Sequence, residues 1–178
     1  MPRHDTERLV LEPLNADDAT VDFLFGLNSD PEVMRYLTGG KPSTRTEVIM
    51  AARAAVAHRW IVHLRGSGET IGWAGIRPGR DDARNRELGY RFIRTAWGHG
   101  YATEASRSLI AHAFHTLDAH RVWAGTMAVN TRSRRVMESC GMTLYRTFFA
   151  AYDDPIEGSE HGDVEYELSL ADWRKVVE

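Results

Sequence analysis

Cysteine is almost absent. Cys140 is the single one in 178 residues, so an internal disulfide framework is excluded and a reducing compartment, the cytoplasm, is expected. Long apolar runs are missing as well. None approaches the ~20 residues of a membrane span, and the polar start MPRHDTERLV has no apolar segment of the kind a signal peptide carries. Charge of one sign is not in excess either: 22 Lys+Arg stand against 25 Asp+Glu, a net charge of −3 with the signs interspersed. That argues against nucleic acid as a partner, which wants a basic face, but leaves room for a small anion in a local pocket. Two nucleotide signatures are also lacking. No Gly-Lys-Ser/Thr follows the turn Gly98-His99-Gly100, and Thr103 stands where the dinucleotide fingerprint has its third glycine.

What is there centres on residues 86–117, RELGYRFIRTAWGHGYATEASRSLIAHAFHTL. Leu88, Tyr90 and Phe92 alternate with polar residues, which predicts a strand with one buried face. Trp97 to Ala102 is a glycine-bearing turn. Ala105, Leu109, Ile110, Ala113, Phe114 and Leu117 then recur at helical spacing. A strand, a small-residue turn and a helix start can hold a phosphate, because the backbone comes close and free N–H groups face the anion.

The flanking chain supplies the rest of the expected elements. Residues 8–14 form a strand closed by Pro13. Asn15 to Asp18 cap a helix reaching about Leu27, and Pro31 opens a short helix to Leu37. Thr44 or Thr46 caps a helix through Val48, Ala51, Ala55 and Ala57. Strands 60–64 and 70–76 read as a hairpin. A strand at 120–129, a helix at 131–140 ended by Gly141, a strand at 143–152 and a loop at 153–162 follow. A last strand at 164–170 and a helix at 171–177 complete the chain. The strand–helix–strand passage from Glu87 to Val129 implies one parallel pair in a largely antiparallel sheet. The class is α+β, a single domain over residues 1–178 with helices on both faces.

Blocks in this order resemble the GCN5-related N-acetyltransferase superfamily, and within it the RimJ/RimL-like branch. They are Thr6-Glu7-Arg8-Leu9, Asn28-Ser29-Asp30-Pro31-Glu32-Val33, Glu87-Leu88-Gly89-Tyr90, Trp97 through Ala105, and Asn130 through Met142. The superfamily's acetyl-CoA loop, Arg/Gln-x-x-Gly-x-Gly/Ala, falls on Trp97 to Ala102, with Trp97 departing from the first position. The resemblance implies a central pair of parallel strands that splay apart. It places the CoA pyrophosphate on Gly98, His99, Gly100, Tyr101, Ala102 and Thr103, and the pantetheine along Phe92, Ile93 and Arg94 and against Asn130. A backbone N–H near Ile93 would polarise the thioester carbonyl. Ser133, in the Asn-x-x-Ser pattern, would protonate the leaving thiolate, since Met137 stands where many members carry a tyrosine. Asn130 before Thr131 equally has what a helix cap needs, and Ser133 lies within the same first turn.

The implied activity is direct transfer of an acetyl group from acetyl-CoA to a primary amine, in this branch a protein N-terminal α-amine. A small-molecule amine (an aminoglycoside, polyamine or amino-acid derivative) is the alternative acceptor, and a non-catalytic CoA-binding sensor the alternative class. Glu87, or Glu160 with His161, is the candidate general base. Glu87 is otherwise a carboxylate paired with Arg86 or Arg121, and Glu160-His161 a solvated turn. Metal binding is not expected: His112 and His115 lie three apart, off the apolar stripe, with no third ligand evident. Cys140 reads as a small core residue. Phe23, Phe25, Trp60 and Trp73 read as core. Neither nucleic acid nor membrane is an expected partner, and the protein is expected to be a monomer or a homodimer.

Overall fold

Eight strands pair in the order β1-β2-β3-β4-β5-β6-β8-β7. The computed structural model describes residues 1–149 and 155–177. The strands are β1 (His4–Asp5), β2 (Leu9–Pro13), β3 (Arg59–Leu64), β4 (Thr70–Pro78), β5 (Asn85–Phe92), β6 (Arg121–Met127), β7 (Thr143–Phe148) and β8 (Asp163–Ser169). The helices are α1 (Asp18–Ser29), α2 (Pro31–Thr38), α3 (Arg45–Ala55), α4 (Tyr101–Thr116), α5 (Thr131–Ser139) and α6 (Leu170–Val177). This is the α+β class with a mixed sheet. Strand β1 was not foreseen: a two-residue bridge carries no periodicity. The strand expected over 143–152 is described as β7 to Phe148, and Ala150 to Asp154 lie outside the described residues, with the first part of the expected 153–162 loop.

Helix starts follow local chemistry. Asp17 caps α1 by accepting from the Thr20 N–H, and Asp30 caps α2 ahead of Pro31. Thr44 and Glu47 form a reciprocal capping box at α3. Alternation along the strands divides the sheet. Trp60, Val62, Leu88, Phe92, Val122 and Leu168 face α4, α5 and Trp173, forming the larger core. Ile61 turns to the other face, where Leu14, Val21, Leu24, Leu27, Val48 and Ala52 make a second core under α1 and α3. Each such large apolar side chain, buried, contributes roughly 1.5–3 kcal/mol. No helix among the described residues is long and apolar enough to cross a membrane.

The feature that positions the site is a tear in the sheet. β5 stays in register with β4 over its whole length, from Arg86 opposite Pro78 to Phe92 opposite Gly72. Against β6 it is in register only at Asn85–Arg121, Arg86–Val122 and Glu87–Trp123, in parallel. β6 continues to Met127 paired with β8 instead. Two strands that remain strands but no longer bond to each other leave backbone donors and acceptors facing a gap, an edge inside the sheet.

Candidate active site

The gap opens toward the glycine turn. Gly98 and Gly100 have φ +79° and +80°, the left-handed region that glycine enters without a Cβ penalty. Gly100 is the N-cap of α4 and provides no side-chain cap. Among the described residues, the N–H groups of Gly100, Tyr101, Ala102 and Thr103 have no protein acceptor, and the ladder resumes only with the Glu104 N–H to the Gly100 carbonyl at 3.0 Å. Four orphan donors at the positive end of a 16-residue helix are an anion site in waiting. The guanidinium of Arg132 lies 4.8 Å from the Trp97 ring centre, adding positive charge beside the turn. Trp97, in place of Arg/Gln, donates its indole N–H to the Phe92 carbonyl at 2.8 Å and so anchors the turn to the lip of the gap. Arg94 lies in an exposed 3-10 turn before it. His99 is exposed and stacks on Tyr101, with ring centres 5.5 Å apart.

A buttress under this turn was not legible in the sequence. Glu104 accepts from the Thr6 hydroxyl at 2.6 Å, the Arg8 N–H at 2.8 Å and Arg8 Nε at 2.7 Å. Arg8 also donates to the His99 carbonyl at 3.0 Å and lies over the Tyr101 ring. Burial works against the Glu104 charge, but these hydrogen bonds outweigh it and hold the carboxyl below its usual range. Two blocks that stand almost a hundred positions apart are thus one unit.

A backbone N–H near Ile93 is expected to face the gap, and the N–H of Ile93 itself does not. The Ile93 N–H is committed to the Ile71 carbonyl at 3.0 Å, on the β4 side. Along an extended strand, successive N–H groups point to opposite sides. Phe92 therefore turns its N–H to the gap, as it does the carbonyl that Trp97 holds.

Asn130 caps α5: its Oδ1 accepts from the Ser133 N–H at 3.3 Å, and its Nδ2 donates to Thr126 Oγ1 at 3.0 Å. One N–H of the amide stays available, so the cap leaves the side chain a donor to offer a ligand. Ser133 Oγ lies 2.9 Å from the Tyr90 hydroxyl, which is also 3.1 Å from the Ser133 carbonyl. Burial pushes the Tyr90 phenol up, so it keeps its proton. Its alternation with Leu88 and Phe92 had signalled a buried face, and a buried phenol requires a partner. Met137, at the usual tyrosine position, packs in the core at 2% exposure.

The candidate bases are not brought together. Glu87 pairs with Arg77, at 2.8 Å from its Nε, rather than with Arg86 or Arg121. The cause is register, because Arg77 sits directly opposite Glu87 across β4–β5. Arg86 donates to the Leu117 carbonyl, and Arg121 holds Glu165 and Glu167. Glu160 and His161 stand 3.5 Å from each other in an exposed turn whose end is tied to β6 by the Ala128 N–H to Gly162 carbonyl bond, 2.9 Å. On the side of α2, Arg35 reaches Glu157 at 3.4 Å.

His112 corrects an expectation. It lies on the buried face of α4 at 8% exposure, edge-on to His4 at 4.7 Å and to Trp60 at 5.7 Å. Burial lowers the pKa of both histidines. Among the described residues no group of three His, Cys, Asp or Glu side chains is placed to hold a metal ion. Cys140 is core, its thiol pushed up to about 11 by burial. Trp60 is core too, whereas Trp73 is only half-buried and lines a pocket.

Comparison with known proteins bears on this geometry. Residues 8–143 match the family model described as an acetyltransferase (GNAT) domain. The chain is 32% identical over 194 aligned residues to the FsC-acetyl coenzyme A-N(2)-transacetylase of Aspergillus fumigatus, covering 98% of this chain and 79% of that protein. An acetyltransferase structure from Agrobacterium tumefaciens superposes with a TM-score of 0.74 at 27% identity, over 96% of this chain and 95% of that one. The spermidine N-acetyltransferase of Vibrio cholerae, solved with CoA and spermine, shares the fold at TM-score 0.76 and 16% identity, over 95% and 99% of the two chains.

Proposed function

Because the chain belongs to the GNAT family of acetyltransferases, we propose that it moves an acetyl group from acetyl-CoA to an α-amine, in the first instance that of a protein N terminus. The observation that carries the cosubstrate assignment is the set of unpartnered N–H groups at Gly100 to Thr103, placed at the mouth of the torn sheet. Those donors would take the pyrophosphate. The unpaired edges of β5 and β6 would take the pantetheine amides as an added strand, with Asn130 beside them. When bound, acetyl-CoA supplies an acetyl group activated as a thioester, whose leaving thiol has a pKa of ~8.5.

The protein's part is orientation and proton handling. The Phe92 N–H points into the gap, where it would stabilise negative charge on the carbonyl oxygen. Ser133, its hydroxyl fixed by Tyr90, would give a proton to the departing sulfur. On the acceptor side the candidate carboxylates already have partners: Glu87 holds Arg77, and Glu160 holds His161 in water. An α-amine, with pKa near ~7.7–8.0, is substantially neutral at working pH, whereas a lysine amine at ~10.4 is not. A site without a dedicated base selects the former.

A small-molecule α-amine is the second reading, favoured by the name of the Aspergillus relative, which places the transferred acetyl on an N(2) nitrogen. Thiol release from acetyl-CoA, measured with free and N-terminally blocked peptides, polyamines, aminoglycosides and amino-acid derivatives, separates the two. Turnover that follows free peptide N termini supports the first reading, and turnover confined to amino-acid derivatives with a free α-amine the second. Turnover with lysine or polyamine amines alone overturns both. Glu87→Gln and Glu160→Gln, made separately, are expected to leave the limb of the pH–rate profile at the pKa of the acceptor's own amine. Loss of that limb in either variant would identify a protein base and remove the argument for an α-amine.

A further inference from the structure

On the face of the sheet under α1 and α3, against the start of the tear, lies a pocket of about 370 Å³. Its floor is Gly75 and Gly89, opposite each other across β4–β5. Its roof is the last turns of α3, where Ala51, Ala54 and Ala55 present only methyl groups. Gly89 stands two positions past Glu87, the last residue of β5 in register with β6, so the floor runs into the gap.

One wall is a cation without an anion. The Arg59 guanidinium lies 3.8 Å from the Trp73 ring centre. Among the described residues it has no carboxylate partner and no hydrogen-bond acceptor. Behind the same indole, Arg91 stands 5.6 Å from the ring centre. It donates to the Asn28 side-chain oxygen, and its buried Nε has no partner. Burial brings both guanidiniums down to about 10, and the charges of Arg91 and Arg77 lower Arg59 further. Glu87 in the opposite wall is already neutralised by Arg77. The pocket therefore carries the unbalanced charge of Arg59, with that of Arg91 added through the ring. Burying a cation without a counter-ion is expensive, and an arginine held over an indole by its Cζ still has N–H groups to offer an anion.

We propose that this pocket takes a carboxylate of the acceptor, with Arg59 as its counter-ion and Trp73 as the platform that orients the guanidinium. The inference rests on the reading of the gap as the site of acetyl transfer. The carboxylate has two possible sources with the same chemistry: the α-carboxylate of a small amino compound, or an acidic side chain beside a peptide N terminus.

The test reads binding and turnover separately. The Arg59 Nε–H resonance of the intact protein, assigned by its loss in Arg59→Gln, is followed during titration with acetylglycine and acetylglycinamide. A second titration uses the methylamides of acetyl-aspartate and acetyl-asparagine. Within each pair only a carboxylate differs. We expect one carboxylate probe to move the resonance and to bind at least tenfold more tightly than its amide, and the pair that responds names the source. Equal responses to both members of both pairs would overturn the proposal. In turnover, kcat/KM should favour the carboxylate acceptor of that pair at least tenfold in the wild type. In Arg59→Gln that ratio should fall to near one, and in Arg59→Lys it should be partly restored. An unchanged ratio in Arg59→Gln would overturn it as well. Absence of turnover with every acceptor would count against acetyl transfer to an α-amine, while the titration would still decide the pocket.

Discussion

Gly100→Glu is expected to weaken acetyl-CoA binding by at least a hundredfold while the protein stays folded. Three effects add. Gly100 sits at φ +80°, a region that costs a side-chain-bearing residue of order 1–3 kcal/mol. A Cβ there would stand 3.5 Å from Arg8 Nη2, an ordinary contact, so the turn has room for the side chain. A carboxylate in that place would accept from the N–H groups meant for the pyrophosphate and repel its charge. A hundredfold corresponds to about 2.7 kcal/mol, which the last two effects supply. Gly100→Ala carries the strain without the charge and should lose less than tenfold. Calorimetric titration with acetyl-CoA measures both, and thermal melting checks the fold. If Gly100→Glu binds within threefold of the wild type, the turn does not hold the pyrophosphate.

Glu104→Gln should cost about 2 kcal/mol of folding stability, read as a lowered urea midpoint at unchanged slope. The estimate is discounted because Arg8 is 45% exposed, but the Glu104 side chain is only 16% exposed and serves several donors. An exposed pair such as Arg3–Asp5, with its side chains 54% and 41% exposed, is screened by water and contributes far less. The direction of the pKa shift sets the pH dependence. The Glu104 carboxyl titrates lower in the folded protein than in the unfolded chain. Its contribution is therefore present above the unfolded value of ~4.3 and fades as pH falls through the folded one. The gap between wild type and variant should be full at pH 7 and should close in acid below about pH 4. A gap that persists unchanged in acid would mean the glutamate acts by shape and not by charge.

Local rules made much of this molecule readable. The Thr44–Glu47 box, the Pro31 helix start, Gly141 after α5 and the alternation of Leu88, Tyr90 and Phe92 each act over a few residues, and each appears in the structure. Register was not readable. Glu87 finds Arg77 only because β4 and β5 align one particular way, and the partners expected from proximity in sequence, or across the parallel pair, went elsewhere. Long-range polar closure was equally silent: Thr6, Arg8 and Glu104 all lie in conspicuous blocks, but nothing local says they meet. His112 was hidden by its type, although it lies three residues from Leu109 and faces the same core. The glycine turn and the helix start behind it were visible, whereas the N–H that faces the gap depends on which side of β5 pairs with β4. The Arg59 pocket exists only once the strands lie side by side.

β7 ends the sheet with all of its residues exposed, Leu144 at 51%, Tyr145 at 56% and Phe148 at 36% among them. An apolar outer strand with an unpaired edge is a template on which another chain can add. No helix of the described residues covers it. Its guard is a set of cations: the Arg146 guanidinium stands 5.0 Å from the Phe148 ring centre and is held there by Glu165, and that of Arg121 stands 5.0 Å from the Tyr145 ring centre. Protection of this edge from self-association should therefore be ionic, and polyanions that draw the arginines off the rings are expected to raise the light scattering of the folded protein.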